Sequence, residues 1–146
     1  MKIKENNFIF GKLDKRSKTD YIILHHRAGN GDAESIHKEH RNKGWAGIGY
    51  NLYIRKDGTI ESGRPLDVVG AHAVGYNQNS VGVCFEGNFE KEHMTDKQIK
   101  AGQEVVAELK RLYAFISIAS VPSRLGKSIA TTLFPFTALT FAKEET

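Results

Sequence analysis

The chain has 146 residues, of which 40% are hydrophobic and 26% are charged, and its formal net charge is +4. These totals are typical of an ordinary globular protein, so we expect a single domain over residues 1–146. Basic residues are scattered and are not interleaved with aromatic ones, which excludes the usual pattern of a nucleic-acid-binding surface. The single cysteine, Cys84, excludes an intrachain disulfide framework.

The N-terminal segment carries no targeting signal that we can identify. Met1 to Lys4 is not followed by the apolar segment of a signal peptide, and no run approaches the ~20 apolar residues of a membrane span. We therefore expect no membrane span. We also expect the chain to be a monomer. We expect it to be cytoplasmic at synthesis and to reach any extracellular target only after release by another agent.

The first half of the chain predicts a central strand followed by a helix. Residues 21–24 are uniformly apolar, as in a strand covered on both faces, and His25 and His26 end that strand. A helix is predicted over 32–43, capped by Asp32 or Ser35 and ended by Gly44. The Phe8 to Phe10 patch upstream is expected to form a short strand or to pack on the body. His37 and His40 lie three apart, a spacing that suits a metal site, although we favour surface or groove positions for both.

The second half predicts further strands and one long helix. Strands are expected over 48–54, 60–64 and 81–86, with an Asp57-Gly58 hairpin turn between the first two. Cys84 lies in the third of these strands, where core packing is favoured over a metal or redox role. Residues 70–77 form a predicted loop, and 95–113 a helix opened by a capping box at Thr95. Together these elements predict an α/β fold with a mixed central sheet flanked by helices.

Several motifs follow one another in a specific order. After His-His come Gly-Trp at 44–45, GYN at 49–51, KDGTIESGRP at 56–65, GAHAVGYN at 70–77 and SVGVCFEGNF at 80–89. In this order and spacing, roughly residues 1–113 resemble the N-acetylmuramoyl-L-alanine amidases of the phage-lysozyme and peptidoglycan-recognition type (amidase type 2), including prophage endolysins. The resemblance implies the amidase/peptidoglycan-recognition fold.

The resemblance also implies a reaction and a site. Such enzymes use Zn²⁺ to hydrolyse the amide bond between the lactyl group of N-acetylmuramic acid and L-alanine in bacterial peptidoglycan of the cell wall. His25 matches a zinc ligand, and Tyr50 matches the residue that stabilises the developing oxyanion. Lys127 lies near the position at which some family members have a catalytic lysine or threonine. Trp45, His72 and Asn77 match the substrate groove. Trp45 is also interpreted as a packing anchor, and Asn77 as a residue that caps a turn.

The C-terminal segment, 113–146, departs from the family pattern. In an ungapped alignment, Pro122 and Ala130 occupy the positions of the second and third zinc ligands, and neither side chain can bind zinc. Replacement of these ligands by His26 or His72 would require a geometry that the sequence does not give. An alternative function is therefore a catalytically impaired homologue that binds peptidoglycan without cleaving it.

Overall fold

The computed structural model describes residues 1–120, 129–135 and 140–141. In these residues the strands are β1 (Ile3–Lys4), β2 (Tyr21–His26), β3 (Leu52–Ile54), β4 (Ile60–Ser62), β5 (Ser80–Phe85), β6 (Ser117–Ser120) and β7 (Thr140–Phe141). The helices are α1 (Ala33–Asn42), α2 (Asp96–Leu112) and α3 (Ile129–Leu133), and a short 3-10 helix spans Asn77–Asn79.

The strands form one mixed sheet in the order β1-β4-β3-β5-β2-β6-β7. Only β3 and β4 are antiparallel, as the hairpin turn between them requires; every other described pairing is parallel. β2 pairs with β5 on one side and β6 on the other. This central position explains the continuous apolar run of β2, because both of its faces are covered. The prediction of a mixed central sheet flanked by helices is confirmed.

The two faces of the sheet carry different cores. On one face, Leu24 and Phe85 pack with α2 and α3 in the largest cluster of buried apolar residues. On the other face, Tyr53 and Cys84 pack with α1. Side chains alternate along a strand, so His25, the Cα partner of Cys84, lies on the α1 face. This face of the sheet carries the site described below.

Both long helices begin at the predicted caps. The Asp32 carboxylate accepts a hydrogen bond from the backbone N–H of Ser35 at 2.9 Å. Thr95 and Gln98 form the predicted capping box, in which each side chain accepts from the other residue's backbone N–H. These contacts satisfy backbone donors that the first turn of a helix leaves without partners.

The strand predicted over 48–54 is regular only in its last three residues. Upstream, Ile48 N–H donates to His37 Nδ1 at 3.0 Å, and Gly49 N–H donates to His40 Nδ1 at 2.9 Å. The Arg64 guanidinium donates to the Ile48 carbonyl at 2.8 Å. Side chains therefore replace a strand neighbour as hydrogen-bond partners here. Both histidines are buried, so the surface positions expected for them were wrong. The groove position is confirmed for His40, which lines the groove described below.

Candidate functional site

Two histidines from distant segments meet on the α1 face of the sheet. His25, at the end of β2, is 7% exposed, and its Nε2 lies 2.9 Å from Nδ1 of His72 in the 70–77 loop. The Ser80 hydroxyl donates its single proton to the Tyr76 carbonyl at 2.6 Å. In its other contact, at 3.3 Å, the hydroxyl oxygen must therefore accept a hydrogen bond from His72 Nε2. His72 Nδ1 is then the acceptor, and His25 Nε2 carries the proton between the two rings.

Burial keeps this pair neutral. It lowers the pKa of His25 to about 3, with a smaller contribution from the neighbouring His26. Burial also lowers the pKa of His72 well below its ordinary value, and His25 adds to that effect. Both rings are uncharged at neutral pH, so they bring no positive charge to the site.

Glycines make room for the His72 ring. A Cβ at Gly82 in β5 would stand 2.5 Å from His72 Cδ2, and a Cβ at Gly70 would stand 2.6 Å from the same atom. Because side-chain carbons are not found at such distances, the imidazole can lie against the backbone only over glycine. These two positions therefore set how closely His72 approaches His25.

Tyr50 stands beside the histidine pair. Its ring centroid is 5.3 Å from that of His25 and 6.4 Å from that of His72. Burial, and then the adjacent Cys84 thiol, raise the pKa of Tyr50 above its ordinary value. Cys84 is fully buried, and burial raises its pKa as well. The phenol thus stays protonated and remains a hydrogen-bond donor, while Cys84 has the packing role that was predicted for it.

A groove of about 350 Å³ opens next to these residues. It is lined by His40, Lys43, Trp45, Tyr50, Ala71, His72, Ala73, Val74 and Asn77. The site candidates Trp45, Tyr50, His72 and Asn77 are therefore brought together here, and His40, for which a groove position was also expected, lies with them. Lys43 and Val74 also line the groove and were not singled out from the sequence. Nothing in the local pattern showed that either side chain borders a cavity.

Trp45 and Asn77 each combine two of the functions considered for them. Trp45 is 40% exposed and packs against His40 with ring centroids 4.5 Å apart, so it contacts the body and still presents a surface to the groove. The Asn77 side-chain oxygen accepts from the backbone N–H groups of His72 and Ala73 at 2.8 and 3.0 Å. Asn77 thus holds the loop that carries His72 and also lines the groove.

The described residues do not complete a three-ligand zinc site. Pro122 and Lys127 lie outside them. Ala130 is fully buried in α3 and belongs to the core on the sheet face opposite His25. His26 accepts a hydrogen bond from Phe89 N–H and stacks on that ring, which is a packing role. Across 1–120, 129–135 and 140–141, no three His, Cys, Asp or Glu side chains are grouped so as to hold a metal. His25 is the one expected ligand that can be located.

The chain also carries the sequence pattern of a known protein family. Residues 15–127 match the family model of N-acetylmuramoyl-L-alanine amidase, amidase type 2. The chain belongs to this family. Its function class is accordingly peptidoglycan hydrolysis by an amidase or peptidoglycan binding.

Sequence relatives come from two groups of proteins. The endolysin of Klebsiella phage KP32 is 37% identical over 111 residues, covering 70% of this chain and 74% of that protein. Peptidoglycan-recognition protein SC2 of Drosophila simulans is 35% identical over 107 residues, covering 66% of this chain and 58% of that protein. This chain is thus similar both to phage endolysins and to recognition proteins.

Solved structures show the same fold. N-acetylmuramoyl-L-alanine amidase LysC from Clostridium intestinale matches with a TM-score of 0.79 at 37% identity, covering 82% of this chain and 81% of that one. Drosophila peptidoglycan recognition protein SA matches with a TM-score of 0.81 at 20% identity, covering 99% of this chain and 98% of that one. This second likeness supports the fold alone. No helix within the described residues is long and apolar enough to cross a membrane.

Proposed function

We propose that this chain is an amidase that binds bacterial peptidoglycan in the groove and hydrolyses the amide bond between the lactyl group and L-alanine. The observation that carries the proposal is the contact of His25 with His72 beside Tyr50, next to the groove. Ligand sites are typically concave and mostly apolar, with a few convergent polar groups. The groove has this composition.

Each residue of the proposed site has a specific task. The exposed part of Trp45 offers an apolar surface to the sugar, and Asn77 keeps the His72 loop in place. Tyr50 is a protonated donor for the carbonyl oxygen as negative charge develops on it. His72 is held by Ser80 and by His25, so the substrate meets a preformed polar surface.

The family is generally zinc-dependent, and bound zinc polarises a carbonyl and activates water. In this chain His25 would be a ligand, but the described residues do not supply the rest of a site. Tyr50 and the histidine pair are assigned binding and charge-stabilising roles only.

The second candidate function is binding without hydrolysis. It is favoured by one observation, the burial of Ala130 in the core on the face opposite His25. A catalytic zinc site normally has three protein ligands and one open position. If His25 is the only ligand, the chain keeps the groove and lacks the reaction.

One experiment separates the two candidates. Purified protein is incubated with insoluble peptidoglycan, with added Zn²⁺ or with EDTA. The soluble fraction is examined by mass spectrometry for stem peptides with a free N-terminal L-alanine, and the pellet for bound protein. Release that EDTA abolishes supports the amidase. Protein in the pellet without release supports the binder. If the protein neither releases stem peptides nor binds to the pellet, both candidate functions are refuted. The His25→Ala variant is the matched control for peptide release.

A further inference from the structure

The groove has one lysine and no arginine among its described lining residues. The His40 ring is neutral at neutral pH, because burial lowers its pKa to about 4. Tyr50 is protonated, and no aspartate or glutamate lines the groove in the part of the chain that the structure describes. Lys43, the C-cap residue of α1, is the one lysine or arginine among the described residues that line the groove.

The Lys43 ammonium is held at the rim of the groove. Its Nζ lies 5.4 Å from the centroid of the Trp45 ring, within the range of a cation–π contact. The other contact is an ion pair with Glu39 one turn earlier, at 3.9 Å, between side chains that are 53% and 56% exposed. Exposed pairs of this kind are weak. A ligand carboxylate therefore competes readily with Glu39 for this ammonium.

The size of the groove limits which ligand group Lys43 can meet. A volume of about 350 Å³ is near the lower end for ligand sites. Lys43 lines the same groove as Tyr50 and His72, so a substrate whose lactyl–alanine bond lies at Tyr50 and His72 brings a neighbouring group of the stem peptide to Lys43. In peptidoglycan, the nearest group along the peptide that can be either charged or neutral is the α-carboxyl of the second residue, D-glutamate, which occurs free or amidated.

We propose that Lys43 makes this protein selective for peptidoglycan whose second stem residue carries a free α-carboxylate. The inference rests on the proposed function, because it assigns one specificity determinant within the same groove. The Lys43 ammonium forms an ion pair with the ligand carboxylate beside the Trp45 ring. An amidated second residue is neutral and cannot form this ion pair. Lys43 is a binding residue here and takes no part in bond cleavage.

The test uses two synthetic muramyl tripeptides that differ only in whether the second residue's α-carboxyl is free or amidated. Trp45 is the only tryptophan of the chain and borders the groove, so its fluorescence reports binding directly. Titrations in EDTA prevent consumption of the ligand by a metal-dependent reaction. We expect the native protein to bind the free-carboxylate ligand about fivefold more tightly, the size of effect typical for a partly exposed charge pair.

The variants discriminate between specific and general charge effects. Lys43→Gln is expected to lose the preference and to keep its affinity for the amidated ligand, whereas Lys43→Arg keeps the preference. Lys38→Gln is the matched control, since Lys38 is an exposed lysine of the same helix, pairs with Glu34 and lies outside the groove. Equal binding of both ligands by the native protein, or a preference that survives in Lys43→Gln, overturns the inference alone. Failure of the native protein to bind either ligand overturns the proposed function together with it.

Discussion

Replacing Gly82 by alanine is expected to displace His72 from His25. The added Cβ would stand 2.5 Å from His72 Cδ2, 2.6 Å from Cγ and 2.8 Å from Nε2, against an ordinary carbon contact of about 3.5–4.0 Å. The imidazole must therefore move by roughly 1 Å, which separates His25 Nε2 from His72 Nδ1 beyond hydrogen-bonding distance. The ring sits on a loop and Gly82 in a central strand, so the ring moves and the sheet does not.

The expected consequences are a loss of stability and a loss of groove function. Overpacking of this kind costs about 1–3 kcal/mol, measurable by urea denaturation. Binding of the variant to insoluble peptidoglycan should also be weaker than that of the native protein. Gly102→Ala in α2 is the matched control, because its Cβ would meet Phe85 Cζ at 2.9 Å in the core on the opposite sheet face. If Gly82→Ala binds peptidoglycan as well as Gly102→Ala does, the role given to the His72 position is refuted.

Three further predictions concern groups away from the histidine pair. Burial raises the pKa of Glu86, but hydrogen bonds from Arg55 and from the backbone outweigh it and hold the pKa below its ordinary value. Its contribution to stability is therefore lost as pH falls below about 4.5, and urea titrations at pH 7 and 3.5 should show a smaller difference for Glu86→Gln than for the native chain. Burial lowers the pKa of His40 to about 4, so stability should fall as pH drops from ~6.5 towards 4. His40→Gln, whose side-chain oxygen can still accept from Gly49 N–H, should reduce that fall. Thr95→Ala removes a helix cap and should cost about 1 kcal/mol at any pH in thermal or urea unfolding.

Each of these results has a clear contrary outcome. A native-like acid profile in Glu86→Gln would show that the buried carboxylate is not stabilised in its charged form. An unchanged profile between pH 6.5 and 4 in His40→Gln would show that this histidine titrates normally. A Thr95→Ala variant as stable as the native chain would show that the capping box contributes nothing to α2.

Local patterns were sufficient where the controlling contacts are local. The start of α2 follows from Thr95 and Gln98, which are three residues apart, and the start of α1 from Asp32 and Ser35. The turn at Asp57-Gly58 likewise fits the positive φ of +87° at Gly58. Short-range hydrogen bonding and backbone preference determine these features, so the sequence alone predicts them.

The site depends on contacts between distant segments, which no local pattern reveals. His25 and His72 are 47 residues apart, and the resemblance to a family, not periodicity, pointed to both. The shortened strand β3 has a similar cause, because His37 and His40 accept the backbone hydrogen bonds of residues 48 and 49. Gly82 within an apolar strand was the one available signal of close approach by another group.

The most direct test of the central claim, that this groove is the peptidoglycan site, is a co-sedimentation measurement. Native protein, His72→Ala and Lys38→Gln are each mixed with purified insoluble peptidoglycan, and the bound fraction of each is quantified. We expect the native protein and Lys38→Gln to sediment equally and His72→Ala to remain mainly in the supernatant. If all three proteins sediment to the same extent, or if none of them sediments, the assignment of the groove is contradicted.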